Sequence, residues 1–404
     1  MLIIQKYGGT SVGTPERIQN VARRVLATQA QGHQLVVVVS AMSGETNRLV
    51  DLAHQISSDP IGREYDQLVS TGEQVTIALL ALAIQSQGGQ ACSFAGHQVH
   101  IRTDNAYSKA RIKSIDGSVI QKELQQGRVV VIAGFQGMDP EGNITTLGRG
   151  GSDTTGVAVA AALKADACEI YTDVDGVYTT DPRICPEARR IPKVSYEAML
   201  ELASLGAKVL QIRSVEMAAK YKVPLWVKSS FNEGEGTLVT SEEKDMEKVA
   251  VAGVAFDKNE AKVAIRHLAD KPGIASQIFN TIAEANINVD MIVQNVSAEG
   301  FTDLTFTIPK SDLKKALKAV EQQAQKLGAD KVEADEHIAK VSIVGVGMKS
   351  HAGVAARMFS TLAERKINIQ MISTSEIRVS VIVAEQDMEP AVKALHAAFE
   401  LEKD

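Results

Sequence analysis

The sequence has few aromatic residues and no excess of positive charge. Aromatic residues make up 4% of the 404 residues, with Trp226 as the only tryptophan. Binding of single-stranded nucleic acid by base stacking is therefore not expected. The 43 Lys and Arg residues face 49 Asp and Glu residues, a net charge of −6. This balance argues against a protein that neutralises a phosphate backbone, so we predict no nucleic-acid partner.

Cysteine and long apolar runs are also scarce. The three cysteines, Cys92, Cys168 and Cys185, are far apart and odd in number, which predicts neither a disulfide framework nor a zinc site and indicates a reducing compartment. The longest apolar runs, such as 35–39 and 157–163, are far shorter than the roughly 20 residues that cross a bilayer. The N-terminus lacks the features of a signal peptide. We expect a cytoplasmic protein that does not bind membranes.

Up to about residue 230, short apolar runs alternate with amphipathic helical patterns. Residues 2–7 read as a strand, residues 8–13 as a loop, and Thr14 and Pro15 as the cap and first turn of a helix. Residues 35–39 form an apolar run without polar alternation, which is typical of a strand buried on both faces. This pattern predicts an α/β fold with a parallel sheet covered by helices.

The C-terminal part of the chain repeats itself. Residues 231–249 are polar and read as a linker, although a solvated helix remains an alternative for their charged half. Residues 273–292 then align without gaps on residues 353–372, with about half of the positions identical. Each copy is flanked by strand patterns and followed by an amphipathic helix, which predicts two βαββαβ units.

Two glycine-rich loops are candidate binding sites. Lys6, Tyr7, Gly8 and Gly9 end the first predicted strand just before a helix, where ligands bind in open parallel sheets and backbone N–H groups can cradle an anion. The alternative is a tight turn with a surface lysine. In the second loop, residues 145–156, Arg149 stands between glycines before a helix and can present its guanidinium to a carboxylate.

Three further segments carry polar side chains at strand ends or helix starts. Residues 40–47 follow a buried strand, and residues 70–74 begin a helix in which Glu73 is either a cap-region acid or a ligand for an ammonium group. Residues 171–183 alternate carboxylates and hydroxyls, which suits a nucleotide with Mg²⁺, whereas their spacing does not fit a calcium loop. His97 and His100 lack partners for a metal, so we predict no metal site made by protein side chains.

These motifs together resemble those of bacterial aspartate kinases, members of the amino-acid kinase superfamily with two C-terminal ACT domains. The matching segments are KYGGTSVG at 6–13, STGE at 70–73, TTLGRGGSDTT at 145–155, YTDVDGVYTTDPR at 171–183 and MKSHAGV at 348–354. The resemblance implies a three-layer αβα kinase domain with a mainly parallel sheet at 1–230. It also implies a linker at 231–249 and two ferredoxin-like ACT domains at 250–335 and 336–404.

The resemblance implies that ATP, with Mg²⁺, phosphorylates the β-carboxylate of L-aspartate to give 4-phospho-L-aspartate. This would be the first step of lysine, threonine, methionine and isoleucine synthesis. The implied catalytic residues are Lys6, Asp153 and Lys208. The implied ATP-binding residues are Lys6, Tyr7, Gly8, Gly9, Thr172, Asp173, Tyr178, Asp181, Arg183 and Lys208. The implied aspartate-binding residues are Ser40, Thr46, Glu73, Arg149, Gly150, Gly151 and Ser152.

The resemblance also implies feedback inhibition by lysine, threonine or both through the ACT domains. The implied effector-binding residues are Asp270, Gly273, Ile274, Asn288, Asp290 and Gln294 in one site, and Met348, Ser350, His351, Val354, Asn368, Thr374, Ser375 and Glu376 in or near a second. The protein should form a homo-oligomer through these domains, or an α2β2 assembly whose small subunit starts near Met246.

Alternative functions remain open at this point. Related kinases act on acetylglutamate, glutamate, carbamate or UMP, but their usual architectures lack this tandem repeat together with the RGGSD loop. An inactive amino-acid sensor would be expected to have lost Lys6, Arg149 or Asp173, and all three are present. The repeats could also serve only for dimerisation.

Overall fold

A mainly parallel sheet organises the first part of the chain. The computed structural model describes residues 1–205, 209–241, 251–296, 300–345 and 353–403. The chain divides into two units, and Met1–Tyr178, Arg190–Ser204 and residues 209–241 belong to the first. The strands of this unit are β1 Leu2–Tyr7, β2 Gln34–Val39, β3 Ala91–Phe94, β4 Ile101–Thr103, β5 Ile112–Ile115, β6 Val129–Ala133, β7 Gln136–Met138, β8 Ile144–Thr146, β9 Ala167–Thr172, β10 Lys193–Ser195, β11 Leu225–Ser229 and β12 Thr237–Thr240.

Eight of these strands form one sheet in the order β10-β12-β11-β9-β1-β2-β6-β3. Neighbours pair in parallel except β11 and β12, which are antiparallel. Every residue of β6 is buried, as is all of β2 after its first residue, because both faces of these strands are covered. The remaining strands form a small sheet in the order β5-β4-β7-β8, which the sequence patterns do not predict.

Helices cover both faces of the large sheet. They are α1 Pro15–Ala30, α2 Glu45–Ile56, α3 Arg63–Val69, α4 Thr71–Ser86, α5 Ser118–Gln125, α6 Gly151–Leu163, α7 Tyr196–Ser204 and α8 Ile212–Tyr221. The predicted start of α1 is confirmed: Thr14 Oγ1 accepts a hydrogen bond from Arg17 N, and Pro15 occupies the first turn. Helices α1 and α4 pack on one face, and α6 packs on β1 and β9. The α/β fold with a mainly parallel sheet is therefore confirmed.

The stretch Arg63–Ser86, which contains α3 and α4, is the one helical stretch among the described residues that is long and apolar enough to span a bilayer. In this protein 56% of its apolar window is buried inside the molecule. That burial is what a core helix requires.

The second unit contains the two repeats. Its strands are β13 Gly253–Asp257, β14 Glu260–Ala269, β15 Ile292–Val296, β16 Phe301–Pro309, β17 Lys331–Asp335, β18 Ile338–Val344, β19 Met371–Thr374 and β20 Arg378–Ala384. Its helices are α9 Ile274–Glu284, α10 Leu313–Lys326, α11 Val354–Glu364 and α12 Met388–Ala398. The first repeat forms the sheet β15-β16-β14-β17, and the second forms β13-β18-β20-β19.

Strand β13 is where the structure departs from the sequence-based division. The prediction places residues 250–335 in the first repeat. Residues 253–257 instead pair antiparallel with β18, so they complete the sheet of the second repeat. The predicted linker 231–249 likewise contains β12, a strand of the large sheet. Both segments are short, and their strand partners are far away in the sequence, so no local pattern reveals them.

The segment Thr179–Arg189, between β9 and β10, belongs to the second unit. Thr179 O accepts a hydrogen bond of 2.7 Å from Val254 N, and Thr179 Oγ1 is 2.9 Å from His396 Nε2. Ile184 packs against the core of the second repeat. This segment is therefore part of the packing of the repeats, although the motif that it completes begins in the large sheet.

Candidate active site

Lys6 lies at the carboxyl end of β1, beside the first turn of α6. Its Nζ is 2.5 Å from Asp153 Oδ1, and the two side chains are 10% and 12% exposed. Lys6 reaches Asp153 by passing Gly156, where a Cβ would lie 3.2 Å from Lys6 Cβ. An ammonium group has three donors, so one contact to Asp153 leaves donors for a second anion. The structure thus brings together two of the predicted catalytic residues.

Three predicted loops meet around the backbone of Ala41. A Cβ on Gly9 would lie 2.9 Å from Ala41 O, and a Cβ on Gly72 would lie 2.8 Å from Ala41 Cβ. Ala41 N donates a hydrogen bond of 3.0 Å to Glu73 Oε1. The glycines are therefore needed for the close approach of the first loop, the loop after β2 and the start of α4. Ser40 is held in the same group, because its N–H bonds to the carbonyl of Tyr7 at 3.1 Å.

Glu73 is a buried carboxyl group with spare hydrogen-bonding capacity. It is 3% exposed, and its Oε2 has no hydrogen-bond partner within the described part of the chain. Burial raises the pKa of Glu73 to about 7, and the N–H of Ala41 opposes this effect. A carboxylate in this environment is poised to gain a cationic partner. Thr46, a second predicted aspartate ligand, is half-buried in the first turn of α2.

The turn that carries Arg149 lies between β8 and α6. Gly148 and Gly150 have φ values of 81° and 70°, in the left-handed region that favours glycine. A Cβ on Gly150 would also lie 2.7 Å from Gln211 Cβ. Arg149 is exposed, whereas Ser152 is buried against Gly134, whose Cβ would lie 2.7 Å from the Ser152 hydroxyl oxygen. The turn therefore presents an exposed guanidinium group next to a tightly packed helix start.

The predicted nucleotide side begins at the end of β9. Thr172 Oγ1 donates to Asp173 Oδ1 at 3.1 Å, and the Tyr178 hydroxyl donates to Asp175 Oδ1 at 2.9 Å. Gly8 N bonds to the carbonyl of Tyr171 at 3.1 Å, which joins this strand end to the first glycine loop. These residues are therefore neighbours of Lys6 along the same sheet edge.

Two serines at this edge are not among the predicted site residues. Ser11 Oγ donates to Ser230 Oγ at 2.9 Å, and Ser230 Oγ donates in turn to Thr172 O at 3.0 Å. This chain of hydroxyls ties the glycine loop to the segments after β9 and β11. Ser11 stands inside the KYGGTSVG motif, but Ser230 is 219 residues away and no local signal connects the two.

Three predicted nucleotide residues differ from a simple ligand role. The Tyr7 side chain is fully buried and stacked on Tyr171, with ring centroids 4.7 Å apart, so only the backbone of Tyr7 faces the loop. Asp181 and Arg183 belong to the second unit, where Arg183 Nη2 contacts Asp181 Oδ2 at 2.7 Å. This contact lowers the pKa of Asp181. Lys208 lies outside the described residues.

Most predicted effector residues lie in equivalent places of the two repeats. Gly273 and Gly353 precede α9 and α11 with φ values of 93° and 96°. Ile274 and Val354 begin those helices. The exposed members of the set are Asp270, Gly273, Asn288, Asp290, Gln294, Asn368, Thr374, Ser375 and Glu376. Met348, Ser350 and His351, and also Met246, lie outside the described residues.

Asp290 already has a cationic partner. Lys340, 2% exposed, contacts both the Asp290 and the Glu260 carboxylates. Burial opposes the charge of Lys340, but the two carboxylates outweigh it and raise the pKa of Lys340. In the other repeat Lys262 contacts Gln370, the residue that aligns with Asp290. The two repeats are thus joined by a pseudo-symmetric pair of lysine contacts, of which one is strongly ionic.

The comparisons with protein families agree with this architecture and with loops that lie together at one edge of the large sheet. The amino acid kinase family model matches residues 1–229, and the ACT domain model matches residues 263–323 and 341–399. The chain belongs to the amino acid kinase family and carries two ACT domains.

The relatives identify the enzyme class. Aspartate kinase Ask_LysC of Stutzerimonas stutzeri is 61% identical over 402 residues, covering 99% of this chain and 98% of the relative. The crystal structure of E. coli aspartokinase III with aspartate and ADP, in the R-state, is 27% identical with a TM-score of 0.81, covering 98% and 99%. The structure of the same enzyme with lysine and aspartate, in the T-state, has a TM-score of 0.79 at 27% identity and the same coverage. Within its family the chain is an enzyme of the aspartate kinase class.

Proposed function

We propose that this kinase transfers the γ-phosphoryl group of ATP to the β-carboxylate of L-aspartate. The product is 4-phospho-L-aspartate, the first intermediate on the way to lysine, threonine, methionine and isoleucine. The observation that carries the proposal is the buried Lys6–Asp153 pair beside the Gly8–Gly9 loop, together with the buried Glu73, whose Oε2 has no hydrogen-bond partner among the described residues. It supports a site that holds a phosphate and an amino acid side by side.

The chemistry needs positioning and charge neutralisation rather than a base. The aspartate β-carboxylate is ionised at neutral pH, so no proton has to be removed. One of its oxygens attacks the γ-phosphorus, the bond to the bridging oxygen breaks, and ADP leaves with the electron pair. The main obstacle is the approach of two anions. Lys6, held by Asp153, would supply positive charge at the transferring group, together with Lys208.

The aspartate would be held at both ends. Glu73 is proposed to pair with the substrate ammonium, since its second oxygen is buried and has no partner in the described ranges of the chain. Arg149 is proposed to bind the α-carboxylate, with Gly150, Gly151 and Ser152 supplying donors at the start of α6. Ser40 and Thr46 would close the site from the loop after β2. These roles place the β-carboxylate between Arg149 and the Lys6 side of the sheet edge.

Mg²⁺ is proposed to accompany ATP. This ion usually keeps several waters and takes one or two protein carboxylates beside the phosphates. Asp173, exposed at the end of β9, fits that requirement, and within the described ranges no three His, Cys, Asp or Glu side chains converge as a separate metal site. When bound, the ion would neutralise charge on the phosphates.

A hydroxamate assay tests the substrate assignment. The enzyme with ATP and L-aspartate should give an acyl phosphate that hydroxylamine traps, whereas glutamate, acetylglutamate, carbamate and UMP should not be phosphorylated at comparable rates. Arg149→Ala should mainly raise the aspartate KM. A change confined to the ATP KM would contradict the assignment of this turn.

We also propose that lysine, threonine or both inhibit the enzyme through the ACT domains, which also form the oligomer. The T-state complex of E. coli aspartokinase III contains lysine, which supports an amino-acid effector here. An effector must bind two states unequally to inhibit. The alternative assembly that we propose is α2β2, with a small subunit that starts near Met246, and a single band from the untagged native gene would argue against it.

The two repeats offer a matched pair of variants. Asn288→Ala and Asn368→Ala alter equivalent exposed positions, one in each repeat. Each variant should keep the uninhibited rate. If both sites bind effector, each should raise the inhibitory concentration of lysine or threonine, and the pattern would assign an effector to each repeat. Unchanged inhibition in both variants would refute these sites.

A further inference from the structure

Two polar side chains hold the chain just before the turn that carries Arg149. Asp66, in α3, has no exposed surface and accepts hydrogen bonds from Thr146 N at 2.6 Å and Thr146 Oγ1 at 2.9 Å. Arg213, in α8, donates from Nη1 to Leu147 O at 2.7 Å. Two helices far apart in the sequence therefore form hydrogen bonds to consecutive residues at the base of the turn.

The same two side chains hold a second loop beside the turn. Both Asp66 oxygens accept hydrogen bonds of 3.0 Å from Ser108 N, and Oδ1 also accepts one of 3.2 Å from the Ser108 hydroxyl. Arg213 Nη2 donates to Ala110 O at 2.9 Å. Ala110 N bonds to Thr146 O at 2.9 Å, which connects the two loops directly.

The backbone of Ser108 shows why these bonds matter for the turn. Ser108 has a φ of 65°, a left-handed conformation that is unfavourable for a residue other than glycine and that its bonds to Asp66 offset. Its carbonyl lies 3.0 Å from the place where a Cβ on Gly148 would be. Ser108 therefore limits the path of the chain at Gly148, and Asp66 fixes Ser108.

The turn is closed by a backbone hydrogen bond of 2.9 Å from Gly151 N to Gly148 O, but its own side chains add little to fix its shape. Gly148 and Gly150 carry no side chain, and Arg149 between them is exposed. The position of the turn is set at one end by α6 and at the other end by Thr146 and Leu147. A buried carboxylate bonded to backbone N–H groups and hydroxyls makes strong, charge-assisted hydrogen bonds, so the Asp66 end is rigid.

We propose that Asp66 and Arg213 are positioning residues for the substrate-binding turn and thereby set the affinity for aspartate. Neither residue touches the reacting groups; both act through Thr146, Leu147 and Ser108. The link to aspartate rests on the proposed role of Arg149. The hydrogen bonds by which Asp66 and Arg213 hold the turn do not depend on that role.

The test uses the full-length enzyme with the variants Asp66→Asn, Arg213→Met and Arg213→Lys. Asparagine keeps the volume of Asp66 but turns an NH₂ group toward donors. Asp66→Asn and Arg213→Met should raise the aspartate KM at least about tenfold and leave the ATP KM within about twofold, since small displacements of a binding group are costly. Arg213→Lys keeps the charge and one donor and should raise the aspartate KM less than Arg213→Met.

A matched control separates positioning from loss of stability. Glu123, in α5, forms a contact of 2.6 Å with Arg128 in the same unit, away from the turn. Glu123→Gln should leave both KM values unchanged even if it lowers the melting temperature. Backbone hydrogen exchange at residues 145–151 should increase in Asp66→Asn and Arg213→Met but not in Glu123→Gln.

The outcomes distinguish this inference from the proposed function. If Arg149→Ala raises the aspartate KM while Asp66→Asn and Arg213→Met do not, the positioning role is overturned. If both positioning variants raise exchange at the turn and the aspartate KM while Arg149→Ala has no effect, the role of Arg149 falls and the positioning role stands. If Asp66→Asn does not fold, the comparison of Arg213→Met with Arg213→Lys decides: equal KM values for the two overturn the inference.

Discussion

Replacing Glu73 by glutamine should make the free enzyme more stable at alkaline pH while weakening aspartate binding. Glu73 is 3% exposed, and in the part of the chain that the structure describes only one of its oxygens accepts a hydrogen bond, from Ala41 N. Glutamine keeps the shape and can still accept that bond through its carbonyl oxygen. It removes only the ability to carry a charge in a buried place.

The size of the effect follows from the pKa of Glu73. Burial raises it from 4.5 to about 7. Between pH 4.5 and about pH 7, Glu73 therefore keeps its proton in the folded state, whereas in the unfolded chain it has released it. The contribution of the protonated Glu73 to the free energy of unfolding is complete below pH 4.5 and is lost as the pH rises through about 7. The loss at pH 8 is on the order of 3 kcal/mol, since each unit of pKa difference corresponds to about 1.4 kcal/mol.

Calorimetric melting of both proteins at pH 5.5 and pH 8.5 measures this contribution. The difference between Glu73→Gln and the wild type isolates Glu73 from every other titrating group. The variant should gain several degrees in melting temperature relative to the wild type at pH 8.5, and less at pH 5.5. A difference that stays constant with pH would refute the reasoning.

Bound aspartate should reverse the order of the melting temperatures of the wild type and Glu73→Gln at pH 8.5. If Glu73 pairs with the aspartate ammonium, aspartate supplies the missing counter-charge and should stabilise the wild type at pH 8.5 more than the variant. The aspartate KM of Glu73→Gln should rise, with little change in the ATP KM. Equal stabilisation by aspartate would remove Glu73 from the substrate site even if the pH effect on stability holds.

Two further predictions concern the buried lysines. Lys6→Ala should lower turnover by orders of magnitude and leave aspartate binding largely intact, because the lost charge acts on the transferring phosphoryl group; near-normal steady-state turnover would contradict this role. Lys340→Met leaves the Glu260 carboxylate, 7% exposed, without its cation, and should destabilise the second unit by about 3–5 kcal/mol in denaturant titrations. Adding Glu260→Gln should restore part of that loss, and a double variant as unstable as the single one would show that the pair is not the cause.

Much of the candidate site could be located from local patterns. Strand, glycine loop and helix start are encoded within a dozen residues, so the loops at Lys6, Glu73 and Arg149 were identifiable in sequence. Their convergence on one edge follows from a general property of parallel sheets, whose carboxyl ends lie together. The structure adds the contacts that join the first two of these loops at Ala41, a residue with no chemical signal of its own.

Other features had no local signal. Asp66, Arg213 and Ser230 act through backbone atoms of residues far away in the chain, and an isolated Asp, Arg or Ser predicts no such contact. Tyr7 illustrates the converse case. Its place in a motif suggests a ligand role for the side chain, but the alternation of side chains along β1 points it into the core, opposite to Lys6.

The sequence by itself determined where strands alternate with helices, which segment is repeated and where charged loops follow apolar strands. These features depend on residues that are neighbours within one helical turn or one strand. Only the tertiary structure decided which strands pair and which charges meet. Strand β13 joins the second repeat rather than the first, and Lys340 binds Asp290 and Glu260, because burial of one face and neutralisation of a charge can be satisfied by partners at any distance along the chain.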